Sequence, residues 1–145
     1  MKLKNIIIIA VILALASHAA GCGGSNWQAG STETSVGGEN EAVYRKLTPA
    51  EAKNMMDSGA QYILLDVRTE EEYKQGRIDG AMPIPYDQIE TRAVAELPDK
   101  GALILVYCRS GSRSSTAAHT LVSMGYTNMY DLGGIMNWPY STTAG

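Results

Sequence analysis

The chain has 145 residues, a formal net charge of −3, two cysteines and two histidines, which is enough for one domain with a hydrophobic core. Once the N-terminal Lys2 and Lys4 are set aside, 10 basic residues stand against 15 acidic ones, and an acidic surface argues against nucleic acid as a partner. Two cysteines exclude a cysteine-based zinc site and a disulfide framework, and His119 is the only histidine after residue 22. We therefore expect no metal and no other cofactor.

The first predicted element is a signal peptide over 1–21. Lys2 and Lys4 precede an apolar run over 6–16, about half the roughly 20 residues that a membrane-spanning helix needs, and small residues follow it. The run Ala19-Ala20-Gly21-Cys22 resembles the lipobox of bacterial lipoproteins, in which the cysteine is acylated and becomes the new N-terminus, although Ala19 stands where leucine is usual. The alternative is ordinary cleavage near Ala20, which leaves Cys22 as a free thiol.

A flexible tether is predicted over 22–41, because Gly, Ser, Thr, Asn and Glu dominate it and few apolar side chains oppose its disorder. A flexible chain of about 18 residues spans roughly 20–25 Å, enough to hold a domain clear of lipid headgroups. We expect an exported protein that is anchored through acyl chains on Cys22 to the cell membrane or outer membrane and faces the periplasm or the exterior.

The folded domain is predicted over 42–145, with alternating strands and helices. Helix starts are marked by two capping boxes, Thr48 with Glu51 and Thr69 with Glu72, so the glutamates after Thr69 have a structural role. The predicted elements are a strand over 44–47, a helix over 48–59, a strand over 62–66, a helix over 69–76, an extended segment over 81–85, a helix over 87–96, a strand over 103–107, a helix over 114–124 and a strand over 129–132. This alternation predicts an α/β fold with a parallel sheet, whose ligands bind at the carboxyl ends of the strands.

The loop after the strand over 103–107 carries the candidate chemistry. Its residues are Cys108, Arg109, Ser110, Gly111, Ser112 and Arg113. Small residues let the backbone curl so that N–H groups point inward, and with the dipole of the following helix they form an anion-binding cradle. Such a cradle lowers a thiol pKa from about 8.5 toward neutrality, and the two arginines add charge for an anionic substrate.

Two simpler interpretations stand beside this one. An isolated Cys108 at a strand end is also typical of a small buried hydrophobic residue, but the order of strand, cysteine, glycine-containing loop, arginines and helix favours a nucleophile. For His119, in the middle of a predicted helix, we expect a surface or packing role.

The domain resembles the rhodanese family, as a single-domain sulfurtransferase. The matching stretches are 65–68 with the acidic helix after it, 76–81 leading to 84–85, the loop over 108–113, and 132–135 with Trp138; Arg77 departs from the histidine that is frequent in the family. The resemblance implies a mostly parallel five-stranded sheet flanked by helices on both faces. It also implies that Cys108 takes a sulfane sulfur from an anionic donor, such as thiosulfate or a polysulfide, and passes it to cyanide or a thiol.

The same resemblance places Asp66 and Arg68 as supporting residues near the loop. The alternative for these two is a buried carboxylate and its ion-pair partner, which hold strand to helix. We expect the protein to be a monomer.

Two other functions remain open. A phosphatase or arsenate reductase of related fold also uses a cysteine thiolate and arginine, but with five intervening residues, whereas four separate Cys108 from Arg113. A non-catalytic rhodanese-like module would carry sulfur or bind a partner protein; such modules commonly lack the nucleophile, which this chain retains.

Overall fold

The computed structural model describes residues 42–144. The predicted signal peptide over 1–21, the lipidation at Cys22 and the tether over 22–41 lie outside the described residues. No helix within residues 42–144 is both long and apolar enough to span a bilayer.

Strands and helices alternate along the described chain, as the sequence predicts. The elements are β1 (Val43–Lys46), α1 (Pro49–Asp57), β2 (Ile63–Asp66), α2 (Glu70–Gln75), β3 (Met82–Pro83), α3 (Ile89–Glu96), β4 (Ile104–Cys108), α4 (Ser112–Ser123) and β5 (Asn128–Gly134). Short 3₁₀ helices cover Tyr86–Gln88 and Ile135–Asn137.

The five strands form one sheet in the order β1-β5-β4-β2-β3, and every strand pair in it is parallel. The α/β fold with a five-stranded parallel sheet is therefore confirmed. All the carboxyl ends of the strands share one edge, where Cys108 of β4 pairs with Gly134 of β5. The candidate loop accordingly begins at the edge where parallel sheets bind ligands.

Both predicted capping boxes are present. The Thr48 hydroxyl accepts from the Glu51 N–H and the Glu51 carboxylate accepts from the Thr48 N–H, and Thr69 and Glu72 repeat this exchange at the start of α2. Each box satisfies backbone donors that the first turn of a helix leaves unpaired.

The core has two layers, one on each face of the sheet. Alternate side chains of β4 point to opposite faces: Val106 and Cys108 pack with the residues of α3 and α4, whereas Leu105 and Tyr107 pack with those of α1. Helices therefore cover both faces, and the sulfur-bearing side chain lies on the α4 side.

Two element boundaries beside the reactive loop differ from the prediction by two residues. Helix α4 begins at Ser112 rather than at residue 114, because Gly111 adopts φ +108° and turns the chain directly into the helix. Strand β5 runs to Gly134 rather than to residue 132, because it pairs with β4 across a register shift that brings Gly133 beside Tyr107.

Candidate active site

Cys108 is the last residue of β4, and its side chain is fully buried. Its Sγ accepts a hydrogen bond from the Gly111 N–H at 3.0 Å. Because Sγ is buried, reaction with a donor requires neighbouring atoms to move aside. One backbone amide of the loop is thus directed at the sulfur, as a cradle requires.

Opposing effects act on the Cys108 thiol. Burial raises its pKa, but the backbone N–H groups of Ser114 and Gly111, the Ser114 hydroxyl and the Ser110 N–H outweigh burial, so the pKa lies below its ordinary value. The thiolate therefore forms at lower pH than in an ordinary cysteine, and no histidine is among the groups that cause this.

The end of β5 lies directly against the loop backbone. A Cβ atom on Gly134 would lie 2.6 Å from the Arg109 carbonyl oxygen and 2.7 Å from the Ser110 Cα, closer than real Cβ atoms approach. The Arg109 carbonyl also accepts from the Met136 N–H at 3.2 Å. Gly134 therefore permits a close approach that fixes the loop above the strand end.

Arg113 lies in the first turn of α4 and forms a bidentate ion pair with Glu72 of α2. Its Nη1 and Nη2 donate to the two carboxylate oxygens at 2.7 and 2.9 Å. The Arg113 hydrogen bonds lower the pKa of Glu72 to about 2. The charge predicted to attract an anionic substrate is therefore already compensated by a carboxylate.

The remaining predicted loop residues lie nearer to solvent. Arg109, Ser110 and Ser112 are exposed. A cleft of about 600 Å³ adjoins the loop, and Ser110, Gly111 and Ser112 form part of its wall. Arg109 is the second cation of the loop. Within residues 42–144, no carboxylate forms an ion pair with it at 4.0 Å or less.

Asp66 and Arg68 form a buried ion pair at the end of β2. The Arg68 Nη2 donates to Asp66 Oδ2 at 2.6 Å and to the Gly76 carbonyl at 2.6 Å, and the Tyr107 hydroxyl donates to Asp66 Oδ2 at 2.7 Å. These contacts join β2 and β4 to the end of α2. Asp66 and Arg68 thus form a buried ion pair that holds strand to helix.

His119 is exposed, and its ring centroid lies 4.5 Å from that of Tyr44. It lines the same cleft as Ser110, Gly111 and Ser112 of the loop. No group of three or more His, Cys, Asp or Glu within residues 42–144 is placed to hold a metal ion.

Sequence reasoning missed three contributors to the site: Ser114, Glu72 and Gly134. The sequence pattern places Ser114 only in the helix. In the structure its side chain is also fully buried, and its hydroxyl donates to the Gly111 carbonyl at 3.0 Å. Glu72 carried a signal only for its capping role, because its partner lies 41 residues away. Apart from its place in the family pattern, nothing in the sequence indicates a role for Gly134 at the site.

The described domain combines a cysteine nucleophile with an anion-binding loop. A parallel α/β domain holds one cysteine at the carboxyl edge of its sheet, amides favour the thiolate, and a helix N-terminus lies behind it. Such a site is suited to a thiolate nucleophile that reacts with anions.

The comparisons with known proteins identify the family. Residues 48–139 match the Rhodanese-like domain. The chain is 38% identical over 71 residues to Thiosulfate sulfurtransferase PspE of Escherichia coli (strain K12), covering 49% of this chain and 68% of that protein. It is 40% identical over 77 residues to a Sulfurtransferase of Allochromatium vinosum, covering 52% and 70%. The solved structure described as rhodanese with anions from E. coli superposes with a TM-score of 0.55 at 33% identity, covering 59% of this chain and all of that one.

The chain therefore belongs to the rhodanese-like domain family. Family and relatives together support a sulfurtransferase or sulfur-carrier role.

Proposed function

We propose that the protein is a sulfurtransferase that carries sulfane sulfur as a persulfide on Cys108. The observation that carries the proposal is the 3.0 Å hydrogen bond from the Gly111 N–H to Sγ, in a loop whose other donors also favour the thiolate. The same donors suit an anionic persulfide, whose charge lies one atom further from the protein backbone.

In the first half-reaction the Cys108 thiolate attacks the outer sulfur of thiosulfate. A new S–S bond forms, the S–S bond of thiosulfate breaks, and sulfite leaves with the electron pair. One thiolate and one dianion become one persulfide anion and one sulfite dianion, so no external oxidant, reductant or proton is needed.

In the second half-reaction cyanide attacks the outer sulfur of the persulfide. Thiocyanate leaves and the Cys108 thiolate is restored, with total charge conserved. A thiol acceptor reacts in the same way as its thiolate and becomes a persulfide. Cys108 is the only cysteine within residues 42–144, so in this part of the chain no second thiol can resolve the persulfide, and the proposed turnover uses an external acceptor.

The test is the transfer of sulfur from thiosulfate to cyanide, followed as thiocyanate, with Cys108→Ser as the matched control. We expect turnover by the native protein and none by the variant, which keeps its fold because the substitution changes one atom. No thiocyanate from either protein would favour the non-catalytic module. Cys108-dependent hydrolysis of an aryl phosphate without sulfur transfer would favour the phosphatase.

We also propose that Cys22 is acylated and anchors an exported, monomeric protein to the cell membrane or outer membrane. The supports are the short apolar run over 6–16 and the small residues before the cysteine. Cells grown with a clickable fatty acid should label the native chain and not Cys22→Ala, and an unchanged label in the variant contradicts the anchor. Light scattering on residues 42–145 tests the monomer.

A further inference from the structure

The Glu72–Arg113 ion pair joins two helices beside the reactive cysteine. Both side chains are about three-quarters buried, with 24% and 27% of their surfaces exposed. Both oxygens of the carboxylate are engaged, at 2.7 and 2.9 Å from the guanidinium nitrogens. A planar, partly buried bidentate pair of this kind is held more firmly than an exposed ion pair.

The carboxylate of Glu72 is also fixed from its own helix. Its Oε2 accepts from the Thr69 N–H at 3.1 Å, and the Thr69 hydroxyl accepts from the Glu72 N–H at 3.2 Å. The capping box therefore holds the carboxylate in place, and Arg113 is drawn to a fixed negative charge.

Arg113 lies between two anions when the thiolate forms. Its pKa is raised first by the hydrogen bonds to Glu72, and the charge and hydrogen bond of the Cys108 sulfur add to this effect. In the chain Arg113 follows by two residues Gly111, whose N–H donates to the Cys108 Sγ at 3.0 Å, so the ion pair with Glu72 lies beside the loop that holds the sulfur. One positive charge is then shared between the Glu72 carboxylate, whose pKa is about 2, and the Cys108 thiolate.

Other charged groups also lie near the loop. Arg68 is paired with Asp66, and its charge makes a smaller contribution to lowering the pKa of Glu72. Asp131 of β5 accepts from the Tyr44 hydroxyl at 3.1 Å, and Lys46 lines the adjoining cleft. On α4 His119 is exposed and stacks on Tyr44. Arg109 is left as the exposed cation of the loop.

We propose that Glu72 acts on the site through Arg113: by compensating the charge of Arg113, it limits how strongly the cradle at Cys108 holds an anion. In the proposed reaction both the donor and the leaving sulfite are dianions. If the site bound both dianions more tightly, its affinity for the donor would be higher, but sulfite would dissociate more slowly. The part of this inference that concerns donor and product rests on the proposed sulfurtransferase function, whereas the effect on the thiol does not.

The first test measures the pH dependence of Cys108 alkylation by neutral iodoacetamide in Glu72→Gln. Glutamine retains an oxygen for the Thr69 N–H, so the helix cap survives while the negative charge is lost. With one negative charge fewer, the thiolate forms at lower pH. The alkylation rate at about pH 6 should rise on the order of two- to fivefold, the size of a solvent-screened charge interaction.

Glu71→Gln is the matched control, because it removes the same charge from an exposed neighbour in the same helical turn. Its alkylation profile should coincide with that of the native protein. An unchanged or upward-shifted midpoint in Glu72→Gln overturns the proposal.

A second pair of variants tests the direction of the effect independently. In Arg113→Met the Glu72 carboxylate is left uncompensated near the thiol, so the alkylation midpoint should rise. Adding Glu72→Gln to that background should lower it again. A double variant with a midpoint at or above that of Arg113→Met contradicts the assignment.

Turnover provides the third readout. Glu72→Gln should lower the KM for thiosulfate and strengthen inhibition by sulfite by similar factors, and Glu71→Gln should change neither. If the native protein transfers no sulfur, the proposed function fails while the alkylation experiments still decide the role of Glu72. If the native protein transfers sulfur, but the KM for thiosulfate and the inhibition constant of sulfite are both unchanged in Glu72→Gln, the effect of Glu72 on anion binding is refuted while the proposed function stands.

Discussion

Substitution of Gly134 by alanine tests whether close packing against β5 positions the reactive loop. The backbone of Gly134 is extended, with φ −106° and ψ 133°, so alanine adopts its conformation without strain. The difficulty is a steric clash between the new Cβ and the backbone of the loop. The new Cβ would lie 2.6 Å from the Arg109 carbonyl oxygen, 2.7 Å from the Ser110 Cα and 2.9 Å from the Ser110 carbonyl carbon.

All three neighbours are backbone atoms, so no side-chain rotation relieves the contact. To restore a separation of 3.0 Å from the Arg109 oxygen the loop must retreat by 0.4 Å, and to reach 3.4 Å by 0.8 Å. Such a movement of the loop would weaken the 3.0 Å hydrogen bond between the Gly111 N–H and the Cys108 Sγ. We expect overpacking to lower the free energy of unfolding by about 1–3 kcal/mol.

The effect on the chemistry should exceed the effect on stability. Misplacement of catalytic groups by about 1 Å lowers a rate on the order of 100-fold, so Gly134→Ala should lower kcat/KM for sulfur transfer by roughly 10- to 100-fold. The alkylation midpoint of Cys108 should rise, because donors withdraw from Sγ. Gly76→Ala is the control, since its Cβ would meet no atom within 4 Å. Native activity and a native alkylation midpoint in Gly134→Ala would show that close packing against β5 does not position the loop.

Three further predictions concern the charged residues. Asp66→Asn leaves Arg68 as a buried unpaired charge and should lower the free energy of unfolding in urea by about 3–5 kcal/mol; a loss below about 1 kcal/mol contradicts the structural role. Because the pKa of Glu72 falls from 4.5 to about 2 on folding, its stabilising contribution is complete above pH 4.5 and is lost as the pH falls toward about 2. Urea titrations across this range should show a shallower fall for Glu72→Gln than for the native protein, and parallel curves contradict the assignment. Arg109→Gln should raise the KM for thiosulfate on the order of two- to fivefold with kcat preserved, and an effect confined to kcat argues against donor attraction by this exposed cation.

Local patterns in the sequence predict the architecture well. The capping boxes at Thr48 and Thr69 mark the starts of α1 and α2, and the apolar runs over 62–66 and 103–107 mark the central strands β2 and β4. These signals depend on residues within a few positions of one another. Their alternation leads to the parallel sheet and to the edge at which Cys108 lies.

The finer geometry of the site depends on contacts between distant residues. The ion pair of Glu72 with Arg113 spans 41 residues, and a local reading assigns the glutamate only to its helix cap. Gly134 lies under the loop because β4 and β5 pair with a register shift, which no local pattern reveals. The positive φ of Gly111 moves the start of α4 two residues earlier and places Ser112 and Arg113 in its first turn.

Whether Cys108 carries sulfane sulfur is decided by the mass of the intact protein after incubation with thiosulfate and removal of small molecules. The native chain should gain the mass of one sulfur atom, peptide mapping should place it on Cys108, and cyanide should remove it. Cys108→Ser should gain nothing. An unmodified native chain, or sulfur that is located elsewhere or resists cyanide, would contradict the account.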